Sequence, residues 1–460
     1  MRRNGSILVG VLWCLVLLAT IVVSVLHSAR LGLTLAKHHG DAVQAHYLAL
    51  AGVEKAKALL LQQARDLRQS KKSFSPELAS APQQFRDVKL GRGQFSLIHR
   101  DPNTGETSYG VADEESRLNL NTASTNELIK IPAMTTDVVA AILDWRDQDN
   151  TVTPGGAETD FYASQMPPTL PRNGPFLTLR ELLMVRGVTA DLFYGDDPRA
   201  TRNRRSGGNS DGVRTRGQNQ TAVGNSTGVL PAGGWQSLLS IHSGIKNLNA
   251  AGRDRVNVQT ADEKALTGVQ GITAEIARAI IAHRGRNQFQ TLADLLDVRP
   301  AAPAGALGPN GLPLNPGTGN NSANPNAGGP SVISDDLFRQ IADDLTIEDN
   351  QDLAGLVNVN SADLNILLCL PGVDRTLAQA ILNQRQSTGY FAGVGALLNV
   401  PGMSRDRFKQ ILPLITTRSE TFRVLAEGLI PGRETRRRIE VVVRVGLDDV
   451  STLAYREDDL

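Results

Sequence analysis

Five carboxylates crowd one short stretch of the chain: Asp144, Asp147, Asp149, Glu158 and Asp160. They begin in "AAILDWRDQDN" and continue into an insertion, near the C-terminal end of a helix-compatible segment. That is the unfavourable end of a helix dipole for negative charge, so the crowding asks for a cation. Carboxylates and free carbonyls suit Ca²⁺, which takes about six to eight oxygens, although the spacing is not that of an EF-hand. A solvated acidic loop with Arg146 and Arg172 nearby accounts equally well for the same residues. His38, His39 and His46 also lie close together, but without cysteine or carboxylate partners at zinc spacing they read as solvated or packed imidazoles. Cys14 and Cys369 fall in unlike segments and are not expected to pair. With no Gly-rich phosphate loop, nucleophile elbow or paired acid and base, the sequence reads as non-enzymatic, and a peptidoglycan or carbohydrate hydrolase has only the acidic cluster in its favour.

The acidic insertion belongs to the first of three copies of one unit. LNLNTA from Leu118 returns as VNVQTA from Val256 and as VNVNSA from Val357. Apolar residues follow in register: Leu128, Ile131, Val138, Ile142 and Leu143 in the first copy, Leu266, Val269, Ile276, Ile280 and Ile281 in the second, and Leu367, Leu370, Leu377, Ile381 and Leu382 in the third. An arginine comes next each time, at Arg146, Arg284 and Arg385, and then a phenylalanine, at Phe176, Phe289 and Phe391. The spacings predict amphipathic helices, with Thr122, Thr260 and Ser361 as N-caps. Each copy reads as an extended lead-in, a helix, a tight turn (PAMT, QGIT, PGVD), a second helix and a shorter third one: a helix-hairpin-helix unit.

Such units bind nucleic acid when a Gly-x-Gly turn aims bare backbone N–H groups at a phosphate. Here Thr135, Thr273 and Asp374 replace the second glycine, and Ala133 replaces the first glycine of the first copy. With 48 Lys and Arg against 47 Asp and Glu, the chain also lacks the basic surplus of a dedicated DNA binder. The repeats therefore read as a helical scaffold, and the arginines of "RATRNRRSGGNSDGVRTRGQNQ" as solubilising charges in a flexible loop.

At the other end, "MRRNGSILVGVLWCLVLLATIVVSVLHSAR" puts Arg2 and Arg3 ahead of an apolar run from Ile7 to Leu26, long enough to cross a ~30 Å hydrocarbon core. The charge distribution keeps Arg2 and Arg3 cytoplasmic and everything after Arg30 on the far side. Helix-compatible sequence continues to about Ser70, with Val43, Tyr47, Leu50 and Val53 as an apolar stripe. "GQFSLIHRD" and "TSYGVAD", joined through "PNTGE", read as one hairpin, and Thr421 to Leu429 with Arg436 to Val445 as a second that ends the chain.

A short basic leader ending in glycine before a long helix resembles the type IV pilin signal, which implies cleavage by prepilin peptidase after Gly5, methylation, and a mature start at Ser6. Pilins carry a glutamate at the fifth mature position, where this chain has Gly10. In lacking it the chain resembles the protein K family of minor pseudopilins of the type II secretion system, also called general secretion pathway protein K. "DEESRLNLNTAS", "GAETDFY", "TTRSETFRVLAEG" and "RRRIEVVVRV" are similar to that family as well. The resemblance implies calcium in the helical domain, without saying which acidic residues are ligands. It also implies a single-pass inner-membrane protein with its bulk in the periplasm, capping the tip of the pseudopilus and starting its assembly for protein export. The implied partners are minor pseudopilins of types I, J and H, the major pseudopilin, the inner-membrane assembly platform, prepilin peptidase and exported substrates.

The expected fold is α+β: a pilin-like fold, its long N-terminal helix packed on a small antiparallel sheet, with a large inserted all-α domain of helix-hairpin-helix-like repeats. Along the chain this gives a leader (1–5), a transmembrane helix (6–26), its amphipathic continuation (27–70) and the first part of the sheet (71–112). The first repeat (113–198), a flexible loop (199–234), the second repeat (235–299), another loop (300–330) and the third repeat (331–415) precede the rest of the sheet (416–460). The alternative is a membrane-anchored helix-hairpin-helix protein that binds DNA for uptake, which leaves the leader and both hairpins unexplained.

Overall fold

The computed structural model describes residues 4–100, 106–195, 230–300, 331–387, 389–432 and 435–457, with side chains from residue 8 onward. The two arginines of the leader, residues 101–105 between the strands of the first hairpin, the arginine-rich stretch up to residue 229 and residues 301–330 lie outside the described residues.

Helix α1 (Asn4–Ser70) runs 67 residues without a break. Its N-terminal half stands clear of the rest of the chain, with residues such as Leu12, Leu18 and Leu26 exposed, and it is long and apolar enough to cross a membrane. The C-terminal half packs on a sheet through Ala45, Leu48, Ala49, Gly52, Val53, Ala56 and Leu60. That differs from the expected stripe: Val53 is buried and Leu50 is partly buried, but Val43 and Tyr47 are 42% and 63% exposed. The reason is the closeness of the helix to the sheet, which selects small residues over large apolar ones. A Cβ at Gly428 would stand 1.9 Å from the carbonyl oxygen of Ala45. Gly428→Ala must therefore push helix and sheet apart, at a cost of about 1–3 kcal/mol in a urea titration.

The sheet contains β1 (Val88–Leu90), β2 (Gly93–Arg100), β3 (Thr107–Tyr109), β4 (Ala112–Asp113), β5 (Thr421–Ile430), β6 (Thr435–Val445) and β7 (Val450–Arg456). Its order is β1-β2-β5-β6-β7, with β3 on β2 and β4 on β5, and every pairing is antiparallel. Both expected hairpins are present. Two strands escaped the sequence: β1 is only three residues long, and β7, with four residues of its face exposed, carries no buried alternation. The helical domain leaves after β4 and returns before β5, whose Phe422 pairs with Asp113. This junction lies at the far end of α1 from its exposed apolar half, because Arg68 donates to the carbonyls of Gly446 and Leu447, both at 2.7 Å.

The three units share one continuous core that runs from Leu118 to Ile415. Each is closed by a parallel bridge between its lead-in and the segment after its last helix: Leu118 with Leu239, Val256 with Leu345, Val357 with Ile415. Trp235–Leu238 and Asp335–Ile341 thus complete the first and second units, whereas the lead-in phrases alone assign them to the following ones. Each unit also carries a 3₁₀ turn where a short third helix is expected, then a fourth helix with a buried Phe193, Phe338 or Phe408. The expected caps shift by two residues. Asn119, Asn257 and Asn358 accept the N–H two positions on, making the lead-in a turn, so that Ser124, Asp262 and Asp363 cap the first helices.

The arginine in register has a structural use. Arg146 bonds the carbonyls of Leu120 and Ala123, Arg284 those of Val258 and Ala261, and Arg385 those of Val359 and Ala362. In the hairpin turns, Gly271 and Gly372 have φ of 104° and 68°, and Ala133 holds the same left-handed conformation at 62°. An L-residue is strained there, so Ala133→Gly is expected to raise stability by about 1 kcal/mol, read as a higher denaturation midpoint with an unchanged slope.

Candidate functional site

In each hairpin turn a side chain already holds one amide. Thr135, Thr273 and Asp374, standing where the second glycine of a phosphate-binding turn would be, each accept a backbone N–H three residues on, from Val138, Ile276 and Leu377. Asp374 also pairs with Arg407 at 3.1 Å. One amide at the start of the second helix of each unit is thus engaged in capping it.

The acidic insertion is different. Asp144 lies on the second helix of the first unit (Thr136–Arg146), and Asp147 is its C-cap. Glu158 caps the short helix Thr159–Ala163, which the insertion brings back against them. Ligand oxygens of these three lie within 4.8 Å of one another. Asp144 is fully buried and Glu158 is 3% exposed. Asp149 and Asp160 stand outside this group: Asp149 accepts the N–H of Thr151 at 2.6 Å, and Asp160 is exposed on the first turn of its helix. Sequence proximity singled out five acids, and the path of the insertion brings three together.

The arginines near in sequence do not neutralise them. Arg146 turns away to the lead-in carbonyls, and Arg172 donates to Glu181 at 2.7 Å. Both oxygens of Glu158, Oδ1 of Asp147 and Oδ1 of Asn173 are buried without a hydrogen-bond donor. Burial, reinforced by the neighbouring carboxylates, raises the pKa of Glu158 and of Asp147. Uncompensated buried oxygens of this kind are costly, and a hard divalent cation supplies what they lack. The floor is rigid: Trp145 packs edge-on to Tyr162 at 5.2 Å, and Tyr162 accepts the N–H of Arg186. A Cβ at Gly156 would stand 2.1 Å from Oδ2 of Asp144, so only glycine leaves that oxygen room. Asn173, at φ 47°, was missed from the sequence, where "PRNGP" signals only a turn.

A second group of acids also went unassigned. Asp113, Glu114 and Glu115 lie at the junction of sheet and helical domain, Asp113 half-buried and Glu114 and Glu115 completely buried. Glu114 pairs with Arg423 at 2.7 Å and Arg117 at 3.0 Å, and accepts from Ser240 of the first unit. Glu115 accepts the N–H of Gly244 at 3.0 Å and of Thr421 at 3.1 Å. Asp113 accepts from Ser419 and from Asn358 and Ser361 of the third unit. Three consecutive acids thus fasten two units to the sheet.

A long helix of membrane-spanning character on an antiparallel sheet, with an all-helical domain spliced between the hairpins, is the expected pilin-like fold with its insertion. Residues 116–195, which hold the acidic site, match the type II secretion system protein K family, and residues 252–301 and 354–416 match the helix-hairpin-helix motif. The chain is similar to the type II secretion system protein K of Pectobacterium carotovorum subsp. carotovorum, 30% identical over 203 residues, or 42% of this chain. It spans 60% of that relative's length. On these matches the chain is similar to type II secretion system protein K over its first helical unit, and to the helix-hairpin-helix motif over the other two. A solved structure, the GspK-GspI-GspJ complex of the enterotoxigenic Escherichia coli type 2 secretion system, is similar at a TM-score of 0.39 and 14% identity, over 92% of this chain and 100% of the other.

Proposed function

We propose that the protein is a non-enzymatic minor pseudopilin that caps the tip of the pseudopilus and helps start its assembly, anchored in the inner membrane with its bulk in the periplasm. The observation that carries this reading is where the helical domain sits, beyond the end of α1 farthest from its apolar half. Bulk at that end obstructs a further subunit above, and Gly10, where pilins carry a glutamate, removes the need for a subunit assembled before it. The partners are pseudopilins of types I, J and H, the major pseudopilin, the assembly platform and exported proteins. Prepilin peptidase cuts between Gly5 and Ser6.

Calcium is part of the same proposal. Asp144, Asp147 and Glu158 would hold it, and bound there it would supply positive charge that ties the insertion to the helix. The reading is tested by the intact mass of the protein from membranes of cells expressing a prepilin peptidase, together with secretion after removal of residues 116–418. The expected results are a start at Ser6 that is lost on Gly5→Leu, and loss of secretion while the shortened chain stays in the membrane. An uncut chain, or normal secretion without the helical domain, overturns it.

A further inference from the structure

A cleft of about 750 Å³ opens between the distal end of α1 and the third unit, within the size range of sites for small organic ligands. One wall is the last turns of α1, with Gln63 and Asp66; the other is the loop after it, with Phe74, and Tyr390–Ala392. Ser73 donates to the carbonyl of Ala392 at 2.6 Å and so fixes one wall to the other. The rings of Phe74 and Tyr390 meet at 4.9 Å, and Tyr390 remains 44% exposed. The side-chain nitrogen of Gln63 is buried there without an acceptor.

The chemistry of this lining selects its ligand. Asp66 and Glu77 are offset by Lys71 and Lys72, which gives no preference for an anion or a cation. Hydroxyl and amide side chains such as Gln62, Gln63, Ser70 and Gln84 share the lining evenly with apolar ones such as Leu59, Leu67 and Phe74, so an acyl chain would leave the polar half unpaired. Helix and irregular loop form the walls, with no strand edge among the lining residues to which an extended peptide could add, and the mixed lining is not the continuous apolar groove an amphipathic helix needs. What remains is a neutral, hydroxyl-rich molecule with an apolar flat face to set against an aromatic ring and a carbonyl or hydroxyl to accept from Gln63. We propose that the cleft between α1 and the third unit binds a neutral N-acetylated oligosaccharide, with Tyr390 as the stacking ring and Gln63 as the donor to an acetamido oxygen. This is a binding activity beyond the secretion reading and does not depend on it.

The test is calorimetric titration of the full chain in lipid nanodiscs with tetra-N-acetylchitotetraose. Saturable binding is expected with a dissociation constant below about 1 mM. Tyr390→Ala should weaken it about tenfold and Gln63→Leu several-fold, whereas Tyr390→Phe and the remote Tyr47→Ala should leave it unchanged. If Tyr390→Ala fails to fold by circular dichroism, Gln63→Leu decides. No saturation up to about 10 mM, equal affinity in wild type and in a folded Tyr390→Ala or Gln63→Leu variant, or displacement of the sugar by an unrelated extended peptide would overturn the assignment.

Discussion

Calcium at about a thousand times its dissociation constant is expected to stabilise the protein by roughly 4 kcal/mol, and Asp144→Ala should abolish that gain. The informative variant is Glu158→Gln, because its two effects have opposite signs. Without calcium it removes a buried carboxylate whose oxygens have no donor, so it should raise the thermal midpoint of the metal-free protein. With calcium it removes a ligand charge, so most of the metal-dependent gain should disappear. A purely structural role for Glu158 predicts destabilisation in both states. The pH dependence separates them further. Burial and neighbouring carboxylates raise Glu158 and Asp147 in the folded protein. The folded chain then holds protons that the unfolded chain has released, so metal-free stability is fullest below ordinary carboxylate values and is lost as pH rises through the raised ones. Calcium competes with those protons, and its stabilisation should grow over the same window. Differential scanning calorimetry at several pH values, with calcium or chelator, reads all of this.

Arg423→Ala is expected to cost about 3–5 kcal/mol, because it leaves Glu114 fully buried with Arg117 as its remaining cation. Burial works against the charge of Glu114, but Arg423 and Arg117 outweigh it and hold the carboxyl at about 2. A depressed carboxylate contributes stability above its unfolded value that is lost as pH falls towards the folded one. For this buried group that is roughly 3 kcal/mol, disappearing between about pH 4.5 and pH 2. Its neighbours run the other way. Burial raises Asp113, and burial with the charge of Asp113 raises Glu115 well above the usual range. Their contribution is present at low pH and is lost as pH rises through those raised values. Glu115→Gln keeps the oxygen that accepts from Gly244 and Thr421 while removing the titration, so it should flatten the alkaline limb and leave the acid limb of Glu114 intact. Urea titrations across pH distinguish the two limbs.

Periodicity alone made the long helix, both hairpins and all three helical units legible, because buried apolar faces at spacings of three, four and seven, or of two, are local facts of the chain. The turn chemistry was legible too: Thr135, Thr273 and Asp374 sit where a phosphate-binding turn needs glycine, and each proved to be a helix cap. Acids near a helix end marked the region of the candidate site. What depended on distance through space could not be read this way. Val43 and Tyr47 are larger than the Ala45 and Gly52 that face the sheet and offer more apolar surface to bury, and the closeness of α1 to Gly428 reverses the preference. The unit boundaries rest on bridges such as Val256 with Leu345, formed between distant segments. Which of five acids converge was decided by the return of Glu158 across the insertion. The trio from Asp113 to Glu115 looks like a solvated acidic run in one dimension. It becomes a fastening between sheet and helices because the chain leaves and re-enters at the same point, bringing Arg423 to Glu114 and Asn358 to Asp113.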